Sequence, residues 1–109
     1  MNQELAIIQK QIGDLCKEFD IESPAIYRLL DLNSELGELA KEILLQTNYG
    51  KKDFNLDDKS KNLTLEMGDV MFSLICLANS LSIDLHTSLT SALAKYQNRI
   101  KLKDNLGSN

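Results

Sequence analysis

The stretch LTLEMGDVMFSLICLANSL, residues 63–81, decides the fold. Its apolar residues do not alternate as those of a half-buried strand would. Laid out at about 100° per helical residue, Val70, Leu74, Leu77, Leu81, Met67, Met71, Ala78 and Ile75 cover one wide arc, and Leu65, Phe72 and Cys76 cover another. A gap of about 60° remains, and Glu66, Asp69, Ser73 and Ser80 fall into it. A helix that is apolar almost all round is a buried helix. The spacing therefore predicts a buried helix over residues 61–81 carrying two carboxylates with almost no route to solvent.

The flanking segments are helical too. Upstream, Leu29, Leu32, Leu36, Leu39 and Ile43 form an apolar stripe from Pro24 to Gln46, and Ser23-Pro24 supplies an N-cap followed by a residue suited to the first turn. The first helix, residues 2–19, places Leu5, Ile8, Ile12, Leu15 and Phe19 on one face and breaks at Asp20-Ile21-Glu22. After a break at Ser82-Ile83-Asp84, with Asp84 as the cap, Leu85, Leu89, Leu93, Tyr96 and Ile100 line a last helix reaching Lys101. The expected fold is all-α, a bundle of four to five helices forming a single domain over residues 1–103, with residues 104–109 as a flexible tail. The polar, glycine-containing segment 46–62 is too long for a tight connection and reads as a mobile linker or a flap; its Lys51 and Lys52 read as solvated surface or as phosphate contacts.

On the second helix, Asp31, Glu35, Glu38 and Glu42 lie in a band at roughly 240–300° from Leu32, beside the apolar face. Carboxylates at these spacings repel one another. A solubility-driven surface would interleave lysines, although an acidic stripe on one helix is by itself compatible with a solvated face. The acids of the third helix do not admit that explanation, because an unpaired ionised carboxylate in an apolar setting is costly unless it is neutralised, paired or metal-bound. Two partners fit: an ion pair with Lys95 or Arg99 of the last helix, or a hard, oxygen-seeking cation such as Mg²⁺ between the two acidic stripes.

Composition narrows the classes. The chain has 109 residues, 43% apolar and 26% charged, with a formal net charge of −4. That balance disfavours binding to nucleic acid polymers or anionic membranes. No apolar run approaching a membrane span is evident, nor is a secretory signal, so a cytoplasmic location is expected. Cys16 and Cys76 sit in apolar helical positions without CxxC spacing and read as reduced core residues. The single histidine, His86, makes a zinc site or a serine-histidine triad a poor fit, and no Glu-x-x-His repeat supports ferritin-like chemistry.

The joint pattern ELGELAKE, residues 35–42, followed by EMGDVMFSLICLANSLSIDL, residues 66–85, resembles the MazG-type all-α nucleoside triphosphate pyrophosphohydrolases. The likeness covers residues 24–100. It implies a helical bundle completed by dimerisation, as a homodimer or homotetramer, and a Mg²⁺-dependent cleavage of a (d)NTP between its α and β phosphates, with Mn²⁺ able to substitute. Nucleotide-pool housecleaning would be the role. Glu35, Glu38, Glu66 and Asp69 take the places of metal ligands. Glu38 and Glu42 are the candidate catalytic carboxylates, and Lys95, Arg99, Asn79 and Ser73 the candidate substrate contacts, Asn79 reading also as a local backbone cap. The alternatives are a noncatalytic nucleotide- and Mg²⁺-binding regulatory module of the same fold, or a helical assembly protein whose acids pair with Lys95 and Arg99.

Overall fold

A computed structural model describes residues 3–55 and 61–107, the side chains of 61 and 105–107 excepted. Four helices follow in order: α1 (Glu4–Glu18), α2 (Ala25–Gln46), α3 (Lys61–Ser80) and α4 (Leu85–Gly107). No strand occurs among the described residues, and the fold is all-α. Residues 56–60 of the predicted linker or flap, and residues 108–109 of the predicted tail, lie outside the described residues. The last helix continues to Gly107, through most of the segment read as a tail.

The helix ends show why the chain breaks where it does. Asp20 and Ser82 adopt left-handed φ values of 54° and 55°. At both, the amide of the next residue reaches back to the end of the helix: Ile21 N–H to Cys16 O and Ile83 N–H to Ala78 O, both 2.9 Å. These bonds satisfy carbonyls that would otherwise lack a partner. Asp84 caps α4 as expected, accepting from His86 N–H at 3.3 Å and from the Thr87 hydroxyl at 2.6 Å. Ser23 does not cap α2. Pro24 occupies the N-cap position, and its own carbonyl accepts from Tyr27 and Arg28 N–H at 3.0 and 3.2 Å, with no side-chain cap.

The α2–α3 pair is the principal packing unit, and α1 rests on α3 and α4. The inward face of α1 is rotated from the predicted stripe. Leu5, Gln9, Ile12 and Cys16, also spaced four-three-four, are buried or half-buried, whereas Ile8, Leu15 and Phe19 are exposed. Gln9, 7% exposed, staples three elements together. Its Nε2 donates to Asn79 Oδ1 at 3.0 Å and to Ile83 O at 2.7 Å, and its Oε1 accepts from Leu85 N–H at 2.9 Å. Asn79 Nδ2 donates in return to Gln9 O at 3.2 Å. Gly13 permits this approach, since a Cβ there would lie 3.3 Å from Asn79 Nδ2.

The buried apolar core among the described residues is small: Cys16, Ile75, Cys76 and Ala78. The buried-helix expectation for α3 holds only near its C-terminal end, because Leu65, Met67 and Met71 remain 46–56% exposed. Segment Asn62–Ser80 is long and apolar enough to cross a membrane by length and composition alone, which corrects the expectation that no such run is present. That stretch nonetheless carries Glu66 and Asp69 and packs along α2. Much of each predicted apolar stripe is uncovered: Leu29, Leu36 and Ile43 of α2, and Leu89, Leu93, Tyr96 and Ile100 of α4. The radius of gyration, 17.9 Å, reflects this open arrangement; a compact domain of similar length measures about 13 Å.

Candidate metal centre

Where α2 runs along α3, Glu35 meets Glu66 and Asp69. One carboxylate oxygen from each lies within 4.8 Å of the others, an arrangement able to hold a metal ion. Glu35 and Glu66 are half-buried and Asp69 is exposed. The periodicity behind the site is simple. Glu66 and Asp69 are one turn apart in the only polar gap of α3, and Glu35 belongs to the acidic band flanking the apolar stripe that α2 turns toward α3.

The electrostatics follow from crowding. The Glu66 carboxyl is pushed above the ordinary glutamate range, first by partial removal from water and then by the negative charges of Asp69, Glu38, Glu35 and Glu42. Raised proton affinity in a carboxylate cluster means that any cation is welcome. Among the described residues, no lysine or arginine lies within ion-pair distance of Glu35, Glu66 or Asp69; the ion pair seen is Lys10–Asp14, at 2.7 Å on α1. An all-oxygen donor set without histidine or cysteine suits a hard divalent cation better than zinc.

The other predicted residues are placed differently. Glu38 is exposed and stands outside the close trio, because it points about 60° away from Glu35 around α2. Its charge still acts on Glu66, as does that of Glu42. Glu42 is half-buried and its Oε1 accepts from Gln46 Nε2 at 3.1 Å. Ser73 is half-buried one turn beyond Asp69 on α3. Both ends of the Asn79 amide are engaged by Gln9. Lys95 and Arg99 are exposed on α4 and flank the Tyr96 ring, at 4.8 and 5.5 Å from its centroid. Since α4 packs on α1, one chain does not bring these cations to the acids.

Sequence reasoning did not anticipate a cleft of about 440 Å³ between α1 and α3, lined in part by Gln9, Lys17, Arg28, Cys16, Cys76 and Asn79. The inward spacing of Leu5, Gln9, Ile12 and Cys16 was the signal for it, obscured by the more apolar neighbouring stripe.

The family model of the MazG nucleotide pyrophosphohydrolase domain matches residues 6–102. The chain belongs to the MazG nucleotide pyrophosphohydrolase family. Two solved structures share the MazG fold with it. A Bacillus-conserved MazG protein, described as a nucleotide pyrophosphohydrolase, is 29% identical with a TM-score of 0.70, covering 88% of this chain and 92% of that one. YPJD of Bacillus subtilis, assigned provisionally as a pyrophosphatase, is 31% identical with a TM-score of 0.72, covering 88% and 97%. Among curated proteins, the uncharacterized protein YpjD of Bacillus subtilis (strain 168) is 41% identical over 70 residues, 64% of this chain. The chain spans 61% of the length of that curated relative. The acidic cluster between α2 and α3 thus sits within the matched MazG domain.

Proposed function

We propose that this MazG domain is a Mg²⁺-dependent nucleoside triphosphate pyrophosphohydrolase, cleaving a (d)NTP between its α and β phosphates to (d)NMP and pyrophosphate. The observation carrying the reading is the convergence of Glu35, Glu66 and Asp69 from two helices, with no cation partner among the described residues. Glu35, Glu66 and Asp69 would hold Mg²⁺, or Mn²⁺ in its place, with Glu38 completing the set from the exposed edge. The bound ion would neutralise polyphosphate charge and make a coordinated water more acidic.

The chain's own groups supply the remaining work. Glu42, whose Oε1 accepts from Gln46 Nε2, would take the proton of the attacking water, with Glu38 as the other candidate base. Ser73 stands beside the trio as a hydrogen-bonding group for substrate. Lys95 and Arg99 would add positive charge against the phosphates. Because α4 makes its principal contact with α1, we place these cations in the site of a second copy. The uncovered apolar stripes of α2 and α4 support a homodimer or homotetramer, since exposed apolar area on this scale marks an interface.

The test is incubation with each common (d)NTP and Mg²⁺, with product identification. Monophosphate and pyrophosphate are expected, and Glu38→Gln should lower turnover by about 10²-fold or more. Nucleotide and Mg²⁺ binding without turnover would favour a noncatalytic regulatory module instead.

A further inference from the structure

We propose that Cys16 of α1 and Cys76 of α3 form a reversible intrachain disulfide at the floor of the α1–α3 cleft, with a hydroperoxide as the oxidant. Both cysteines are free and buried, and their Sγ atoms lie 3.9 Å apart. Bond formation requires a separation of about 2 Å. The difference is the size of a side-chain rotation, with the two helices already packed on each other.

Three observations distinguish this pair from two thiols that merely share a core. The cleft reaches both, since Cys16 and Cys76 line its wall, and its volume of about 440 Å³ admits an oxidant little larger than water. The Arg28 guanidinium is fixed beside one sulfur: its Nη2 donates to Ile21 O and stands 3.9 Å from Cys16 Sγ. A charged donor is thereby in place for the oxygen that Cys16 would acquire. Burial, followed by the neighbouring Cys16, pushes the Cys76 thiol up to about 11. A raised thiol is the poorer first nucleophile, so Cys16, with Arg28 beside it, is oxidised first and Cys76, 3.9 Å away, resolves.

The chemistry balances in two steps. Cys16 sulfur attacks a peroxide oxygen, the O–O bond breaks, and Cys16 sulfenic acid and one water (from hydrogen peroxide) result. Cys76 sulfur then attacks the sulfenyl sulfur: the S–S bond forms, the S–O bond breaks, and the departing hydroxide leaves with the Cys76 proton as a second water. Two electrons pass from the sulfurs to the peroxide. A dithiol reductant reverses the bond by exchange. The cross-link would tie α1 to the helix that carries Glu66 and Asp69.

The experiment treats the full chain with equimolar hydrogen peroxide and follows it by intact mass and alkylation under denaturing conditions. A loss of about 2 Da is expected, with both thiols resistant to iodoacetamide until dithiothreitol is added. Peptide mapping should recover a linked Cys16–Cys76 pair. Thiols that remain open to alkylation, a mass gain from sulfinic acid, or a disulfide between two chains would each overturn the proposal. In Cys76→Ala, the Cys16 sulfenic acid should persist and be trapped by dimedone; absence of the adduct in a folded variant would refute the assigned order of attack. If that variant does not fold, the wild-type peptide map decides alone.

Discussion

Replacing Gln9 by alanine should be among the most damaging single changes to stability in this chain, although the residue is polar and remote from the acids. The side chain makes three hydrogen bonds, two from Nε2 and one to Oε1, joining α1 to Asn79, to the Ile83 carbonyl and to the first amide of α4. At about 1 kcal/mol net for each, the loss is about 3 kcal/mol, a large share of the roughly 5–15 kcal/mol that holds a typical domain. For a chain of this size that corresponds to a fall in melting temperature of roughly 12–24 °C. Far-UV circular dichroism melts at one fixed protein concentration would measure it, since association shifts the midpoint. Gln9→Leu, close in volume, separates lost hydrogen bonds from lost packing and should recover little. The cycle with Asn79→Ala should show a coupling of about 1 kcal/mol, because Gln9 Nε2 donates to Asn79 Oδ1, a bond that either substitution removes. A loss below about 0.5 kcal/mol for Gln9→Ala, or strictly additive effects in the cycle, would refute the staple as an organising feature.

Other expectations concern the acids and their surroundings. Mg²⁺ should raise the melting temperature of the wild type and chelator should remove the gain, by about 2.7 kcal/mol at a hundredfold excess over Kd, while Glu66→Gln should lose most of the response. Without metal, Glu66→Gln should itself stabilise the chain at neutral pH: a carboxyl raised in the fold penalises folding above its folded value, and the penalty fades as pH falls through it. Asp84 has the opposite sign. Its carboxyl is lowered, first by the Thr87 hydroxyl, so its contribution is complete above the unfolded value of 3.8 and disappears as pH falls through the folded one. Melts of Asp84→Asn should accordingly show a flatter acid limb than the wild type. Finally, mixing inactive Glu66→Gln chains with Arg99→Ala chains should restore turnover if α4 of one copy serves the acids of another; no recovery in verified mixed oligomers would refute that arrangement.

The α-helical architecture was legible because each stripe has a helical period, and Glu66 with Asp69 was legible because their helix offers them one polar gap. Glu35 was named with them, but that it stands closer than Glu38 was not legible. These residues sit one turn apart in one band, and the contact between α2 and α3 decides which comes nearer, a quantity absent from local periodicity. Gln9 was overlooked for a related reason. A glutamine on an amphipathic helix reads as solvent-facing, and only the arrival of Asn79, Ile83 and Leu85 from distant chain gives its amide buried partners. Ser23 failed as a cap because the helix begins one residue later, at Ala25, which puts Pro24, a residue with no side-chain acceptor, in the N-cap position. The stripes of α1, α2 and α4 were correctly recognised as apolar, but their exposure here depends on what covers them, which a single chain does not determine.

The acidic band of α2 behaves like a rack with interchangeable teeth. Asp31, Glu35, Glu38 and Glu42 recur about once per helical turn, so a slip of α2 along α3 by one turn, about 5.4 Å, would present Asp31 or Glu38 where Glu35 now stands. A change in the length of the connection between the two helices, or the loss of Glu35 from the trio, would thus be accommodated by a neighbouring tooth. The matching face of α3 has no such spare: beyond Glu66 and Asp69 the polar gap continues without a further carboxylate, as Asn62, Ser73 and Ser80. Mutational tolerance for metal binding should therefore be lopsided, with loss of Glu35 open to repair by a shift in register and losses of Glu66 or Asp69 on α3 irreparable.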